Sequence, residues 1–462
     1  MSAPRSLFGK GSILSPADIM SRSEAQAFLE RVVKLSRADT IGAQLGGGYN
    51  GNIRFAANRI STSGGVSNSQ LVVQSGYGPK HAVVTTGDFT PEGIERAVRQ
   101  SEAIAKLAPD DPEVMPLLPP QQYNDVKAFF DSTANLTPSD RAAAAHTAID
   151  AAKAAGDLAA AGFIIAGSGY NAIASNTGMY AYFPATSANY QLTVRTNDGT
   201  GSGWAAADHP DWAKINFKAV SDRAIDKARA SRNPVAVEPG RYTVILEPQA
   251  VGDLVQLLAF SLDARSADEG RSAFSRTGGG TKIGEKIVDA KVTLFSDPAD
   301  PQLLGQPYNG EGLPLNREVW IENGVLKQLA YSRFWAQKKS ARPNNGGLGA
   351  VKMVGGDATT EQMIASTARG ILVTRLWYLR QVDPRTVLYT GLTRDGTFLI
   401  EDGKITKAVK NLRFNESPLF MLNNLELLGR AERVAGTESG GNVVFPTIKV
   451  KDFNFTSLSD AV

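Results

Sequence analysis

Apolar positions near the start of the chain follow a helical period. Phe28, Leu29, Val32 and Val33 share one face, and Ser23 with Gln26 three residues later has the spacing of a capping box. A helix is therefore expected from about Ser23. The pattern then changes to short apolar runs at Thr40–Leu45, Asn52–Ala57, Gln70–Gln74 and His81–Thr85. Gly46-Gly47-Gly48 and Gly64-Gly65 separate them and read as turns, which makes an antiparallel meander. Thr90 and Pro91 open a second helix with Ile94, Ala97, Val98, Ile104 and Leu107 inward, and Asp110-Asp111-Pro112 ends it. Thr137-Pro138-Ser139-Asp140 is another capping box, opening an Ala-rich helix that runs to about Gly156. Strands are expected at Phe163–Ala166, Ala172–Ala174, Met179–Phe183 and Tyr190–Val194, with a helix over Trp212–Ala230.

Asn233-Pro234 to Pro239-Gly240 reads as a linker. Beyond it Tyr242–Leu246 alternates as a strand and Ala250–Leu262 is an apolar helix. Strands are expected at Val292–Phe295, Glu318–Ile321, Val325–Ala330, Ile371–Leu379 and Val387–Arg394. Glu322-Asn323-Gly324 and Glu401-Asp402-Gly403 have the positive-φ residues of tight hairpins. The expected architecture is α+β in two domains. Residues 1–17 form a flexible arm, 18–235 an N-terminal domain of meander plus helices, and 236–462 a β-rich C-terminal domain. No heptad or solenoid period is present.

Composition narrows the chemistry. The 462 residues contain no cysteine and three histidines, His81, His146 and His209. That excludes disulfides, thiolate zinc sites, iron–sulfur clusters and cysteine nucleophiles. With 49 Lys+Arg against 46 Asp+Glu the net charge is +3, which gives no global footprint for nucleic acid. No apolar run approaches the ~18 residues of a membrane span, and Met1–Lys10 lacks the apolar region of a signal peptide. A cytoplasmic location is the expectation.

Few motifs carry chemistry. Gly278-Gly279-Gly280-Thr281-Lys282 lacks phosphate-loop spacing, since Glu285 follows Gly284 where a lysine is needed. Gly167-Ser168-Gly169 and Gly201-Ser202-Gly203 are not nucleophile elbows and read as loops. His209 reads as a surface residue, and His146 and His81 as structural ones. Lys327 to Lys352 holds six basic residues and no acidic one, interleaved with Phe334 and Trp335, a pattern that suits a solvated face first, and otherwise a peptide carboxylate, a partner surface or nucleic acid. Asp253, Asp263, Asp268, Glu269, Glu285 and Glu311 form no spacing that specifies an acid/base dyad.

Several segments in order resemble the TldD/PmbA family, also called the modulator of DNA gyrase or TldD/TldE metalloprotease family. They are Pro239–Leu246, Arg271-Ser272-Ala273-Phe274, Ile283-Gly284-Glu285-Lys286, Asn309-Gly310-Glu311-Gly312, Ile321-Glu322-Asn323-Gly324-Val325-Leu326 and Phe398–Ile405. The looser N-terminal match extends the resemblance to about residues 20–455. Ser272, Phe274, Gly284, Glu311, Gly312, Asn323 and Gly324 are the structural positions it marks.

The family's catalytic branch carries His-Glu-x-x-x-His on the helix after the opening strand, two imidazoles holding zinc and a carboxylate activating water. An ungapped count back from Ser272 puts those positions at Val255, Gln256 and Phe260, which are not ligands. The resemblance is therefore to the TldE/PmbA-like branch. It implies a non-catalytic subunit, without a catalytic residue or metal of its own, of a cytoplasmic protease. Zinc would reside in a TldD-type partner, in a heterodimer or larger assembly, and unfolded or leader-bearing peptides would be the substrates. No direct nucleic-acid binding is expected. Arg333, Arg342, Asn344, Asn345 and Gly346 are the candidate peptide contacts. The alternatives are a homodimeric peptide-binding or topoisomerase-modulating protein without a proteolytic role, and an enzyme of divergent chemistry built on carboxylates or His209.

Overall fold

The computed structural model describes residues 19–344, 349–436 and 441–459. The N-terminal half contains α1 (Arg22–Leu35), β1 (Thr40–Ala56), β2 (Arg59–Tyr77), β3 (Lys80–Thr86), α2 (Pro91–Leu107), α3 (Asp131–Ala134), α4 (Pro138–Ala155), β4 (Leu158–Ser175), β5 (Tyr180–Thr196), β6 (Ser202–Asp208) and α5 (Phe217–Ala230). The six strands make one antiparallel sheet in the order β3-β2-β1-β4-β5-β6. This is an internal duplication. The unit α1-β1-β2-β3-α2 is repeated as α4-β4-β5-β6-α5, and the two copies meet at the β1–β4 seam.

Local chemistry explains where the helices begin. Ser21, rather than Ser23, caps α1, and its hydroxyl and Glu24 form the reciprocal box. Thr90 caps α2 with Pro91 behind it, and Thr137 with Asp140 opens α4. Ala25, Phe28, Leu29 and Val32 of α1 and Ile94 and Val98 of α2 pack on Ile41, Ala43 and Leu45 of β1. Ile104 and Leu107, expected inward, lie on the exposed side of α2. Helices α4 and α5 build a second core on Ile53, Phe55, Ile164 and Tyr190. Both cores lie on the same face of the sheet. Alternation places the even residues of β1 on the opposite, open face.

Sequence patterning divides these strands too finely. Gly46–Gly48 lies inside β1, Gly64-Gly65 inside β2 and Gly167-Ser168-Gly169 inside β4, while Gly201 precedes β6. Glycine is required at Gly167 because β1 and β4 approach closely there. A Cβ at Gly167 would overlap the Tyr49 carbonyl oxygen and stand 2.9 Å from the Asn50 Cα. The helix expected over Trp212–Ala230 is a 3-10 turn at Trp212–Lys214 followed by α5, which Asn216 caps.

The C-terminal half contains β7 (Gly240–Leu246), α6 (Pro248–Val255), α7 (Ala264–Asp268), β8 (Leu294–Ser296), β9 (Glu318–Glu322), β10 (Val325–Leu326), α8 (Arg333–Lys339), β11 (Ala350–Met353), α9 (Thr360–Ala365), β12 (Arg369–Val373), β13 (Leu376–Asp383), β14 (Leu388–Thr393), β15 (Thr397–Glu401), β16 (Lys404–Ala408), β17 (Leu412–Glu416), α10 (Pro418–Asn423), β18 (Leu425–Arg433) and β19 (Asn442–Leu458). Strand β19 is the hub, paired with β7, β11, β17 and β18 along its length. The expected Ala250–Leu262 helix is α6 continued by 3-10 geometry over Gln256–Ser261. Ile371–Leu379 divides between β12 and β13, and Val325–Ala330 is strand only at Val325-Leu326. Asn323 (φ 49°) and Gly324 (φ 79°) make the expected hairpin turn between β9 and β10. The core fills around Trp320, Phe274, Phe414, Phe445, Phe453 and Phe455.

Candidate functional site

The open face of the N-terminal sheet carries two adjoining hollows. One is about 420 Å³, floored by Gly42, Gln44, Val72, Gln74 and Ile173 and walled by Asp111–Leu117, Glu311 and Ser332–Phe334. The other is also about 420 Å³, over Gly46, Gly48, Asn50, Asn68, Gln70, Gly167, Gly169 and Asn171. A turn from the C-terminal half, Gln306–Gly312, sits where they meet. Gln44 Nε2 donates to the Gly310 carbonyl at 2.7 Å, Tyr308 Oη to the Asn171 carbonyl at 2.7 Å, and Asn171 Nδ2 to Gln306 Oε1 at 3.1 Å. Tyr123 Oη donates to the Gly312 carbonyl at 2.8 Å. Burial pushes the Tyr123 phenol up to about 12, so it stays a neutral donor. Met179, Ile173, Phe183 and Tyr308 form an apolar wall beside the turn.

Apart from Val72 and Ile173, the groove floor is mostly glycine, asparagine and glutamine. Glycine leaves room for a chain to approach the sheet closely, and carboxamides supply both donors and acceptors without charge. Such a surface matches the repeating N–H and C=O groups of an extended chain and makes little demand on its side chains. Charge is confined to one end, where Arg333 pairs with Glu311 at 3.1 Å and Arg265 with Glu113 at 2.7 Å, and where the Asp111 carboxylate lies 3.7 Å from the His81 ring.

The expected site residues are only partly brought together. Arg333 begins α8 at the groove wall, but it is committed to Glu311 and to the Pro116 carbonyl at 2.5 Å. Arg342 pairs with the buried Glu318 at 2.5 Å and does not line the groove. Asn344 is buried, with Oδ1 accepting from the Tyr331 N–H at 2.8 Å, so it fastens a loop rather than facing a ligand. Asn345 and Gly346 lie outside the described residues. The whole basic stretch is compensated: Lys327 by Glu322, Lys339 by Asp268, Lys352 by Asp300 and Lys338 by the Trp335 ring at 4.8 Å.

The family-marked residues hold loops. Ser272 Oγ donates to the Ser261 carbonyl at 2.7 Å, Phe274 fills the core, and the Gly284 N–H donates to Leu326 at 2.8 Å. Glu311 and Gly312 belong to the turn over the groove. Of the isolated carboxylates, Asp263 caps α7, Asp268 accepts from Trp335 Nε1 at 2.7 Å, and Asp253 accepts from Gln249 at 2.7 Å. His209 Nδ1 accepts from the Asp211 N–H at 2.9 Å, and burial holds its imidazole below the usual histidine range. Glu416, pushed up by burial to about 7, accepts from the Ser417 and Asn454 N–H groups away from the groove.

The positions aligned with a zinc motif do not fit the metal. Val255 is buried in the core, Phe260 is 77% exposed, and neither side chain has a donor atom. Among the described residues no three His, Cys, Asp or Glu side chains converge. No described helix is long and apolar enough to cross a membrane.

Comparison with known proteins places this arrangement. Residues 131–232 match the PmbA/TldA metallopeptidase central domain and residues 239–457 its C-terminal domain. A metalloprotease of Methanothermobacter thermautotrophicus is 25% identical over 256 residues, 52% of each chain. One of Archaeoglobus fulgidus is 24% identical over 218 residues, 46% of this chain and 45% of that one. The matched stretches thus span about half the length of these curated relatives. Among solved structures, TldE from Thermococcus kodakarensis superposes with a TM-score of 0.82 at 18% identity, covering 93% of this chain and 100% of that one. A Thermotoga maritima protein described as a modulator of a DNA gyrase gives 0.82 at 15% identity with the same coverage. At these identities the likeness to the solved structures is one of fold.

Proposed function

The chain belongs to the PmbA/TldD metallopeptidase family, and on that premise we propose that it is a non-catalytic, TldE/PmbA-like subunit. In this reading a TldD-type partner supplies the zinc and the water-activating carboxylate. This chain supplies a groove that holds an extended, unfolded peptide. The observation that carries the reading is the side-chain chemistry after β7, where Val255, Gln256 and Phe260 stand at the aligned motif positions. The uncharged carboxamides Asn50, Asn68 and Gln70 on the floor support the peptide role, because such side chains can both donate to and accept from main-chain groups. No bond is made or broken by residues of this chain in this account. Its work is to bind and orient.

Peptide binding tests the groove. Asn68 is exposed on the floor, so Asn68→Trp fills the hollow at little cost to the fold. In fluorescence anisotropy with a labelled unfolded peptide, we expect Kd to rise at least tenfold while Tm stays within a degree or two. Unchanged affinity would place the peptide elsewhere.

A further inference from the structure

The open face of the N-terminal sheet continues beyond the two hollows of the groove. On β1 the second hollow reaches Asn50, and alternation puts Asn52 and Arg54 on the same face further along. Arg54 borders a third hollow, of about 450 Å³, together with Phe163, Gln191, Thr193 and Trp204. Thr193 and Trp204 are paired across β5 and β6. Two residues on, and so on the same face, Arg195 pairs with Ser202. These two border a fourth hollow, also about 450 Å³, where the sheet meets the C-terminal half at Asp395 and Lys410. Four hollows therefore follow one another on one face. Gln44 to Arg54 alone covers about 33 Å of strand, the length of ten extended residues.

Charge sets the far end apart. At the near end the arginines are answered, Arg333 by Glu311 and Arg265 by Glu113. At the far end Arg54, Arg195 and Lys410 border the third and fourth hollows, and all three are exposed. Among the described residues no carboxylate pairs with Arg54 or Lys410. Arg54 lies over the Phe163 ring at 5.6 Å, which holds its guanidinium along the sheet. Among the described residues that border either hollow the one acid is Asp395, and it is already committed. Its carboxylate meets Arg375 at 3.0 Å and accepts from the Ser202 hydroxyl at 2.6 Å. Asp198, in the turn between β5 and β6, is folded back onto Thr196 and Thr200, and Asp157 is paired with Arg232. The far end thus carries an unanswered positive field, next to a floor that has no charge.

We propose that this far end is a subsite for acidic side chains, which takes the glutamates or aspartates of a peptide whose main chain lies in the groove. The subsite presupposes the peptide groove proposed above and gives it a substrate preference: an uncharged stretch next to an acidic one. Arginine suits the task, because its guanidinium meets a carboxylate with two parallel N–H donors. Lys410 adds a point charge on a flexible stem. A peptide in the groove reaches these cations without turning, because β1 runs unbroken from the first hollow to the third.

Fluorescence anisotropy at low salt tests this with three labelled unfolded peptides that share one neutral sequence. One has a run of glutamates at its N-terminus, one has the same run at its C-terminus, and one has glutamines instead. The wild type is expected to bind one of the glutamate peptides at least tenfold more tightly than the glutamine peptide, and the advantage is expected to shrink in about 0.5 M NaCl. Arg54→Gln with Arg195→Gln, folded by circular dichroism, is expected to bind all three alike. Equal affinity of the wild type for the three peptides, or an advantage that survives in the double variant, would overturn the proposal and leave the groove reading standing. Absence of binding by all three would overturn both.

Discussion

Gly167→Val is expected to lower the melting temperature by roughly 5–10 °C and to abolish peptide binding. The added Cβ meets the Tyr49 carbonyl oxygen and, at 2.9 Å, the Asn50 Cα, and both contacts are with backbone. Neither can swing aside as a flexible side chain would, so β1 and β4 must separate. Overpacking of this kind costs about 1–3 kcal/mol, and each kcal/mol is worth about 2–4 °C in a domain of this size. The seam is also the groove floor, so loss of binding should exceed what stability alone explains. Gly42→Ala is the control. A Cβ there meets nothing within 4 Å, and its Tm should match the wild type. Equal melting of Gly167→Val and Gly42→Ala would show that the seam tolerates a side chain.

Asp395→Asn is expected to destabilise the chain by about 3 kcal/mol, the cost of removing one partner from a buried ion pair. Asp395 and Arg375 are 3.0 Å apart with side chains 4% and 7% exposed. The Ser202 hydroxyl of β6 donates to the same carboxylate at 2.6 Å, and the Arg375 guanidinium lies 4.5 Å from the Trp204 ring, also of β6. The pair therefore joins the two halves of the molecule. Asparagine keeps the shape and tolerates the φ of 53° at this turn, so the measured loss reports the charge. Urea unfolding should show a lower midpoint and a broadened or split transition as the halves uncouple. An unfolding free energy within about 0.5 kcal/mol of the wild type would contradict the coupling.

What the sequence revealed follows from how local each signal is. Caps and tight turns are written in three or four adjacent residues, so Thr90-Pro91, Thr137–Asp140 and Asn323-Gly324 were readable. Strand length was not. The glycines of β1, β2 and β4 have no side chain to display a two-residue period, and they read as turns where the strands in fact continue. The duplication escaped for a related reason: its two copies share element lengths and order rather than residues. The basic stretch misled because its counter-charges come from outside it. Glu311 and Glu318 precede it and Asp268 and Asp300 lie further away, so a count along the chain sees only the cations. The groove itself has no motif. Asparagine, glutamine and glycine become one uncharged surface only when strands far apart in sequence set them side by side.

The absence of ligand residues at Val255, Gln256 and Phe260 is the point on which the functional account turns, and cleavage is its most direct measurement. The purified chain, a TldD-type partner from the same family, and their mixture would be given one unfolded peptide, with and without a zinc chelator. The account predicts background cleavage by this chain alone, and chelator-sensitive cleavage by the mixture that exceeds that of the partner alone. Robust, chelator-sensitive cleavage by this chain alone would contradict it.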